Sequence, residues 1–141
     1  MNYRVLSGKY IVYENETNRN GKIYDAFKNR LIYEGGIISG RKNGIGKEYD
    51  YKGKLTFEGE YLNGKRNGKG KEYDCNGTIK FEGEYLNGKK WIGKRKKYNI
   101  YGQLIFEGEY LNGKRNGKCL EYDGNGNLIF EGEYIMGKEM E

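Results

Sequence analysis

One segment of this chain returns at a nearly constant interval. FEGEYLNGKRNGKGKEYD begins at Phe57, and close copies begin at Phe81 and Phe106. A weaker copy begins at Tyr33 and a truncated one at Phe130, so that successive copies start 24 or 25 residues apart. Such a period is typical of a repeat array, in which each unit buries its apolar residues against its neighbours.

Each unit has the pattern of a β-hairpin. In the unit that begins at Phe57, residues 57–62 alternate in polarity, with both aromatic rings and Gly59 on one face, as in a half-buried strand. Asn63-Gly64 follows and is a strong hairpin signal. Because further polar residues come after this signal, we expect a loop of roughly four to six residues. A second strand is then predicted over residues 69–73.

Charge favours one register for this hairpin. If Glu58 faces Lys71 and Glu60 faces Lys69, two pairs of opposite charge form across the strands. A slip of one residue would place two glutamates opposite each other. The favoured register also puts Gly59 opposite another glycine, and we expect the bare backbone there to make room for aromatic rings of the next unit.

The connections between units are equally regular. The segments 50–53, 74–77, 99–102 and 123–126 each begin with Asp or Asn and end with Gly, which indicates type I turns. Tight connections of both kinds predict an all-β fold, an elongated single-layer antiparallel meander of stacked hairpins with almost no helix. Residues 1–32 are predicted to be a diverged capping repeat. The array is predicted over 33–141, with units near 33, 57, 81, 106 and 130, and its last edge is either capped by Glu139-Met140-Glu141 or left open for a partner.

The repeats resemble the MORN-repeat family. The resemblance covers roughly residues 33–137 and rests on an aromatic-x-Gly-x-aromatic motif followed by three further glycines, matched here by Phe57, Gly59, Tyr61, Gly64, Gly68 and Gly70. In the copies at Phe81 and Phe106 the last glycine is replaced by Arg95 and Cys119. The resemblance implies an elongated, twisted sheet with an aromatic-lined groove. It also implies roles in protein scaffolding, self-association or binding of acidic phospholipid. The repeats are similar as well to bacterial MORN-variant repeats of antitoxin components.

The composition offers little for catalysis. The chain has no histidine, which excludes Ser-His, Cys-His and histidine–metal sites. The pair Glu58 and Glu60 recurs in the units that begin at Phe81, Phe106 and Phe130, with lysines nearby, so we interpret these glutamates as members of cross-strand charge pairs. We therefore predict no enzyme, no catalytic residue, no metal and no cofactor. Cys75 and Cys119 hold non-equivalent places in their units, which predicts two free thiols in a reducing cytosol.

Two surfaces are candidate binding sites. The first is a partner-binding groove lined by the recurring rings and the single tryptophan: Phe57, Tyr61, Phe81, Tyr85, Trp91, Phe106, Tyr110, Phe130 and Tyr134. The alternative is that these rings only pack on one another. The second is a set of basic loops that face an anion or a lipid: Lys65, Arg66, Lys89, Lys90, Lys94, Arg95, Lys96, Lys97, Lys114 and Arg115. Trp91 lies in the unit with an extra residue, and it is either a binding residue or part of a tolerated loop insertion.

These patterns predict a non-catalytic interaction scaffold that binds a protein, a peptide or a second copy of the chain through its aromatic face. One alternative is peripheral attachment to an anionic membrane, because the net charge is +6 and basic residues attract acidic lipids. Another is an antitoxin or immunity role with a toxin as partner. No specific nucleic acid and no small-molecule substrate is expected. No run of about 18 or more apolar residues occurs, so no membrane-spanning helix is predicted, and a cytoplasmic protein, peripheral to a membrane in the lipid-binding case, is expected.

Overall fold

The computed structural model describes residues 3–15, 17, 19–135 and 138–139. They form 13 strands in one sheet, and each strand is hydrogen-bonded to the strands before and after it in sequence. The strands are β1 (Tyr3–Leu6), β2 (Lys9–Tyr13), β3 (Asn20–Asp25), β4 (Leu31–Ile38), β5 (Arg41–Tyr49), β6 (Leu55–Leu62), β7 (Lys65–Tyr73), β8 (Ile79–Leu86), β9 (Lys89–Tyr98), β10 (Leu104–Leu111), β11 (Lys114–Tyr122), β12 (Leu128–Ile135) and β13 (Lys138–Glu139). The predicted all-β antiparallel meander is confirmed.

The hairpin turns are shorter than the sequence predicts. Between β6 and β7 the connection is only Asn63-Gly64, with φ angles of 49° and 87°, as a two-residue type I′ turn requires. The predicted loop of four to six residues is therefore wrong, and β7 begins at Lys65. The surplus residues are taken up inside the hairpin by a bulge between Gly59 and Tyr61.

The predicted register is confirmed for the part of the hairpin that lies beyond the bulge, away from the turn. Glu58 lies opposite Lys71, and Gly59 lies opposite Gly70. Glu60 does not pair with Lys69 across the hairpin, because the bulge intervenes there. Its carboxylate instead accepts a hydrogen bond of 2.6 Å from the Lys69 backbone N–H, which satisfies a donor that the bulge removes from the ladder.

The turns between units are those that the sequence predicts. The Asp74 carboxylate accepts hydrogen bonds from the backbone N–H groups of Asn76 at 2.9 Å and Thr78 at 3.0 Å. The Gly77 N–H closes the turn onto the Asp74 carbonyl at 3.0 Å, with φ of 81° at Gly77. The same contacts recur in the segments 50–54, 99–103 and 123–127.

Glycine backbone makes the core possible. A Cβ atom on Gly70 would lie 2.6 Å from the ring of Phe57 and 3.1 Å from the ring of Tyr85, closer than carbon atoms approach. Phe57 is fully buried, although the sheet has a single layer. The expectation that rings lie on bare glycine is confirmed, but the nearest ring belongs to the same unit and only the second ring to the next.

The ends of the sheet continue the meander. The strands β1–β3 of the predicted capping repeat pair in sequence order and join β4, and β13 pairs with the last full strand, β12. Met136, Gly137, Met140 and Glu141 lie outside the described residues, so the capping of the last edge stays a prediction. The division into a cap and an array stays a prediction as well. Cys75 is exposed in a turn and Cys119 is buried in β11, and no disulfide joins them. Among residues 3–15, 17, 19–135 and 138–139 we find no helix with the length and apolar character of a membrane span.

Candidate functional site: the aromatic face

The two faces of the sheet differ in chemistry. We call the face that carries the recurring phenylalanine and tyrosine rings the aromatic face and the other the opposite face. Eight of the nine predicted groove residues lie on the aromatic face: Phe57, Tyr61, Phe81, Tyr85, Phe106, Tyr110, Phe130 and Tyr134. Seven of them are at most 8% exposed, and Phe130 is partly buried.

The rings contact one another from repeat to repeat. Phe57 meets Tyr61 of its own unit edge to face, with 5.6 Å between ring centroids, and Tyr85 of the next unit at 5.2 Å. Phe81 repeats the arrangement with Tyr85 at 5.5 Å and Tyr110 at 6.1 Å. Edge-to-face pairs of this kind add to the stabilisation that burial gives. The rings therefore form the floor of this face, and whether they also bind a partner stays a prediction.

Charged side chains cover this floor. A chain of ion pairs runs from Lys42 to Glu48 at 3.4 Å, from Glu48 to Arg66 at 2.7 Å, from Arg66 to Glu72 at 2.7 Å and from Glu72 to Lys90 at 3.1 Å. These five side chains are 12–27% exposed. Solvent thus reaches a row of charges of alternating sign that crosses three repeats.

The cations of this row lie on the rings beneath them. The guanidinium of Arg66 is 3.9 Å from the centroid of the Phe57 ring, and the ammonium of Lys90 is 5.2 Å from that of Phe81. Arg115 lies 4.1 Å from the Phe106 centroid in the same way. Cation–π attraction of this kind strengthens when water is partly excluded, so each cation is held by a ring as well as by a carboxylate.

The pKa values on this face follow from burial and pairing. Burial opposes ionisation of Glu48, but its hydrogen bonds from Arg66 and Tyr61 outweigh burial and hold its pKa below the usual range. Burial and the Glu48 carboxylate together raise the pKa of the Tyr61 phenol far above its usual value. Burial likewise opposes ionisation of Glu72, and the nearby Lys90 and Arg66 outweigh it. Glu48 and Glu72 are therefore charged, and Tyr61 is neutral, over the physiological range.

The ten basic residues that the sequence places in loops lie in strands instead. They belong to β7, β9 and β11, because the connections before these strands contain only two residues. The two basic residues after each turn alternate between faces. Arg66, Lys90 and Arg115 lie over rings on the aromatic face, whereas Lys65 pairs with Leu62 on the opposite face. Sequence alternation, counted from a two-residue turn, could have separated the two groups.

The opposite face carries an exposed band beside the hairpin turns. In four successive hairpins an aliphatic residue lies across from a basic one: Ile38 with Arg41, Leu62 with Lys65, Leu86 with Lys89, and Leu111 with Lys114. The four basic residues are exposed, and no ion pair involving them occurs in the described part of the chain. Further from the turns, Lys71 faces both Glu58 and Glu82 in register, so basic and acidic residues alternate across the strands there.

The unit that begins at Phe81 departs from the others. Its hairpin has a bulge of one residue in β9, between the pairs Glu84–Ile92 and Tyr85–Lys90, whereas β7 has three residues across from Glu60. The extra residue of this unit instead lengthens the strand, because β9 runs from Lys89 to Tyr98. The alternative of a loop insertion is therefore wrong, and the alternative of a binding residue stays a prediction. Trp91 lies at this bulge, is 38% exposed, and accepts a hydrogen bond of 2.6 Å from the Asn112 N–H through its carbonyl.

The acidic side chains of the described residues were compared with the requirements of a metal site. Within the described residues, no group of three or more Cys, Asp or Glu side chains lies close enough together to hold a metal ion. The glutamates of the aromatic face are each paired with a cation or a tyrosine.

Comparison with known families places three segments of the chain. Residues 33–55, 57–79 and 106–128 match the family model described as the MORN repeat. Each segment begins at the first aromatic residue of a unit, which is Tyr33, Phe57 or Phe106. The departing unit at Phe81 lies between the second and third segments. No curated protein matches the chain.

Proposed function

This chain belongs to the MORN-repeat family, and on that premise we propose that it is a non-catalytic interaction scaffold. Its aromatic face binds a protein or peptide partner, or a second copy of the chain, by pairing with the charges that lie over the rings. The observation that carries the proposal is the continuous row Lys42–Glu48–Arg66–Glu72–Lys90, whose members are held in place and still reach solvent.

The row suits recognition because it is already ordered. Long charged side chains normally lose about 0.5–1.5 kcal/mol of conformational freedom each when a partner immobilises them. Here Arg66 is fixed by two carboxylates at 2.7 Å and by the Phe57 ring. Most of this loss is therefore incurred on folding rather than on binding. A partner with complementary charges at the spacing of the repeats would meet a rigid surface.

Selection of random peptides displayed on phage, with the immobilised full chain as bait, tests the proposal. Selected peptides should bind the wild type and should lose affinity when Lys90, on the aromatic face, is replaced by Ser. The matched control is Lys89→Ser, the same change on the opposite face one residue earlier. Equal losses in both variants, or a larger loss with Lys89→Ser, would refute binding through the aromatic face.

Self-association is measured separately. Light scattering after size exclusion gives the mass of the particle across a range of concentrations. If the aromatic face binds a second copy, the measured mass is that of a dimer. The Lys90→Ser dimer should then dissociate at a higher protein concentration than the wild-type dimer. A monomer at all concentrations would restrict the proposal to a different protein as partner.

A second candidate function is attachment to an anionic membrane through the band on the opposite face. The specific observation is that Arg41, Lys65, Lys89 and Lys114 are exposed next to aliphatic side chains. Each cation near an acidic bilayer contributes about 1 kcal/mol, and the attraction falls with salt. Flotation with phosphatidylserine vesicles should recover the wild type at low salt only and should fail for a Lys65, Lys89 and Lys114 triple serine variant. Equal flotation with pure phosphatidylcholine vesicles would refute an electrostatic attachment.

A further inference from the structure

The carboxylate row of the aromatic face is interrupted once. In three hairpin junctions a glutamate lies directly across from the first phenylalanine of the next unit: Glu48 across from Phe57, Glu72 from Phe81, and Glu121 from Phe130. At the fourth junction the residue across from Phe106 is Lys97. One position that holds a negative charge elsewhere thus holds a positive charge here.

The cations around that position remain. Arg66 lies between two carboxylates, each at 2.7 Å. Arg115 occupies the corresponding place after the Phe106 strand, and its one ion pair among the described residues is a looser contact of 3.8 Å with Glu121. Arg95 adds a second guanidinium to this face at a place where the preceding hairpin has Gly70. This junction therefore has three cations, Arg95, Lys97 and Arg115, and a single carboxylate, that of Glu121.

The hydrogen bonding of Tyr110 differs from that of the equivalent tyrosines at other junctions. The hydroxyls of Tyr61 and Tyr134 donate hydrogen bonds to Glu48 at 2.6 Å and to Glu121 at 3.2 Å. The hydroxyl of Tyr110 instead accepts a hydrogen bond of 3.2 Å from Arg95. Burial alone would raise the pKa of Tyr110, but Arg95 and Arg115 outweigh burial and hold it below the usual value.

We propose that this junction between β9, β10 and β11 is a receptor site for a carboxylate side chain of a protein partner, which completes the row between Arg95, Tyr110 and Arg115. The site rests on the proposed function and specifies it, because it names an acidic segment as the partner. A carboxylate fits better than a phosphate, since the equivalent positions in three other hairpins hold glutamate. An incoming carboxylate would accept hydrogen bonds from both guanidinium groups and from the Tyr110 hydroxyl, the strong, charge-assisted kind.

An acidic peptide supplies the direct test. Hexaglutamate, acetylated and amidated, is titrated into the full chain, with calorimetry for affinity and NMR for the Nε–H signals of Arg95 and Arg115. Both signals should shift on binding. Lys97→Glu supplies the missing carboxylate from within the chain, so the affinity should fall about tenfold or more while the melting temperature rises. Arg95→Gly, which restores the glycine of the preceding hairpin, should also weaken binding.

The matched control is Lys96→Glu. It makes the same change of net charge one residue earlier, on the opposite face where Lys96 lies across from Glu107. Binding should change by no more than about threefold, the size of a distant surface charge. Equal losses with Lys96→Glu and Lys97→Glu would show attraction to net charge alone and would overturn the site.

Two further outcomes separate the explanations. Inorganic phosphate and phosphatidylserine vesicles are tested as competitors of hexaglutamate at equal charge concentration. If either one competes, and if Lys97→Glu weakens its binding as much as it weakens hexaglutamate binding, the assignment to a carboxylate is overturned. Phage-selected peptides that bind the aromatic face but lack Asp and Glu would overturn the site and leave the proposed function standing. Peptides that bind only the opposite face would overturn both.

Discussion

Gly70 is the position where the packing of rings on bare backbone can be tested most sharply. A Cβ there would lie 2.6 and 2.7 Å from two carbons of the Phe57 ring and 3.1 Å from the Tyr85 ring. Carbon atoms prefer about 3.5–4.0 Å, so the ring of Phe57 would have to move by roughly an ångström. Phe57 is fully buried and is covered by Arg66 at 3.9 Å, so it has little freedom to move.

Overpacking of a fixed core costs about 1–3 kcal/mol. Replacement of glycine by alanine also restricts the unfolded chain and returns about 0.4–1 kcal/mol. We therefore expect Gly70→Ala to lower the free energy of unfolding by about 1–2 kcal/mol. At this chain length the melting temperature should fall by roughly 4–8 °C.

Thermal and urea unfolding followed by circular dichroism measure this change. Gly124→Ala is the matched control, because a Cβ on Gly124 meets no atom within 4 Å and its φ is not positive. This control should be neutral or slightly stabilising. In a Phe57→Leu background the cost of Gly70→Ala should largely vanish, since the ring that it meets is gone. A Gly70→Ala protein as stable as the Gly124→Ala protein would refute the packing argument.

Three further substitutions test other parts of the structure. Tyr61→Phe removes the hydrogen bond of 2.6 Å to Glu48 and should cost about 1–2 kcal/mol in urea unfolding, because a partly buried carboxylate loses a donor; no loss would show that this bond contributes nothing. Glu72 has a lowered pKa, so its contribution to stability is present above its ordinary pKa and is lost as pH falls through the folded-state pKa. Unfolding at pH 7 and pH 3 should show a smaller acid loss in Glu72→Gln than in the wild type, and equal losses would contradict the pairing. Asp74→Ala removes two hydrogen bonds of the turn and should cost about 1–2 kcal/mol, whereas Asn76→Ala in the same turn should be nearly neutral.

The sequence predicts most of the fold because its signals are local and repeated. Alternation in residues 57–62 sets the faces, the Asx-x-x-Gly segments set the turns, and the charges of Glu58 and Lys71 set the register. All three predictions are confirmed. The predicted length of the hairpin loop is wrong, because the polar residues after Asn63-Gly64 resemble a loop. A bulge keeps them in a strand instead.

The candidate site is predicted only in part. The rings are found on one face, as the sequence indicates, but the ion pairs above them are not visible from spacing. Arg66 and Glu72 are six residues apart on one strand, and Glu48 comes from the preceding hairpin. Their meeting depends on the two-residue turn and the bulge, which shift Arg66 onto the aromatic face. Lys97 lies across from Phe106 where other junctions have a glutamate. This difference depends on the strand register, which the sequence alone does not give for β9 and β10.

The separation of the two faces explains how a thin sheet can carry a specific surface. The Phe57 and Phe81 rings are fully buried and fix the backbone, while the cations above them remain partly exposed. At the junction with Lys97 the residue across from the phenylalanine is positive instead of negative, while Phe106 itself stays buried. One junction thus differs in charge from the rest of a regular row of repeats.

Small-angle X-ray scattering of the full chain tests most directly whether the hairpins stack edge to edge in one open sheet. Thirteen strands at about 4.8 Å spacing give a ribbon about 60 Å long, with a radius of gyration of roughly 19 Å. A compact domain of this length would have a radius of about 14 Å. A monomeric particle near 19 Å with a distance distribution skewed to long distances is expected. A value near 14 Å with a symmetric distribution would contradict the stacked sheet and both faces with it.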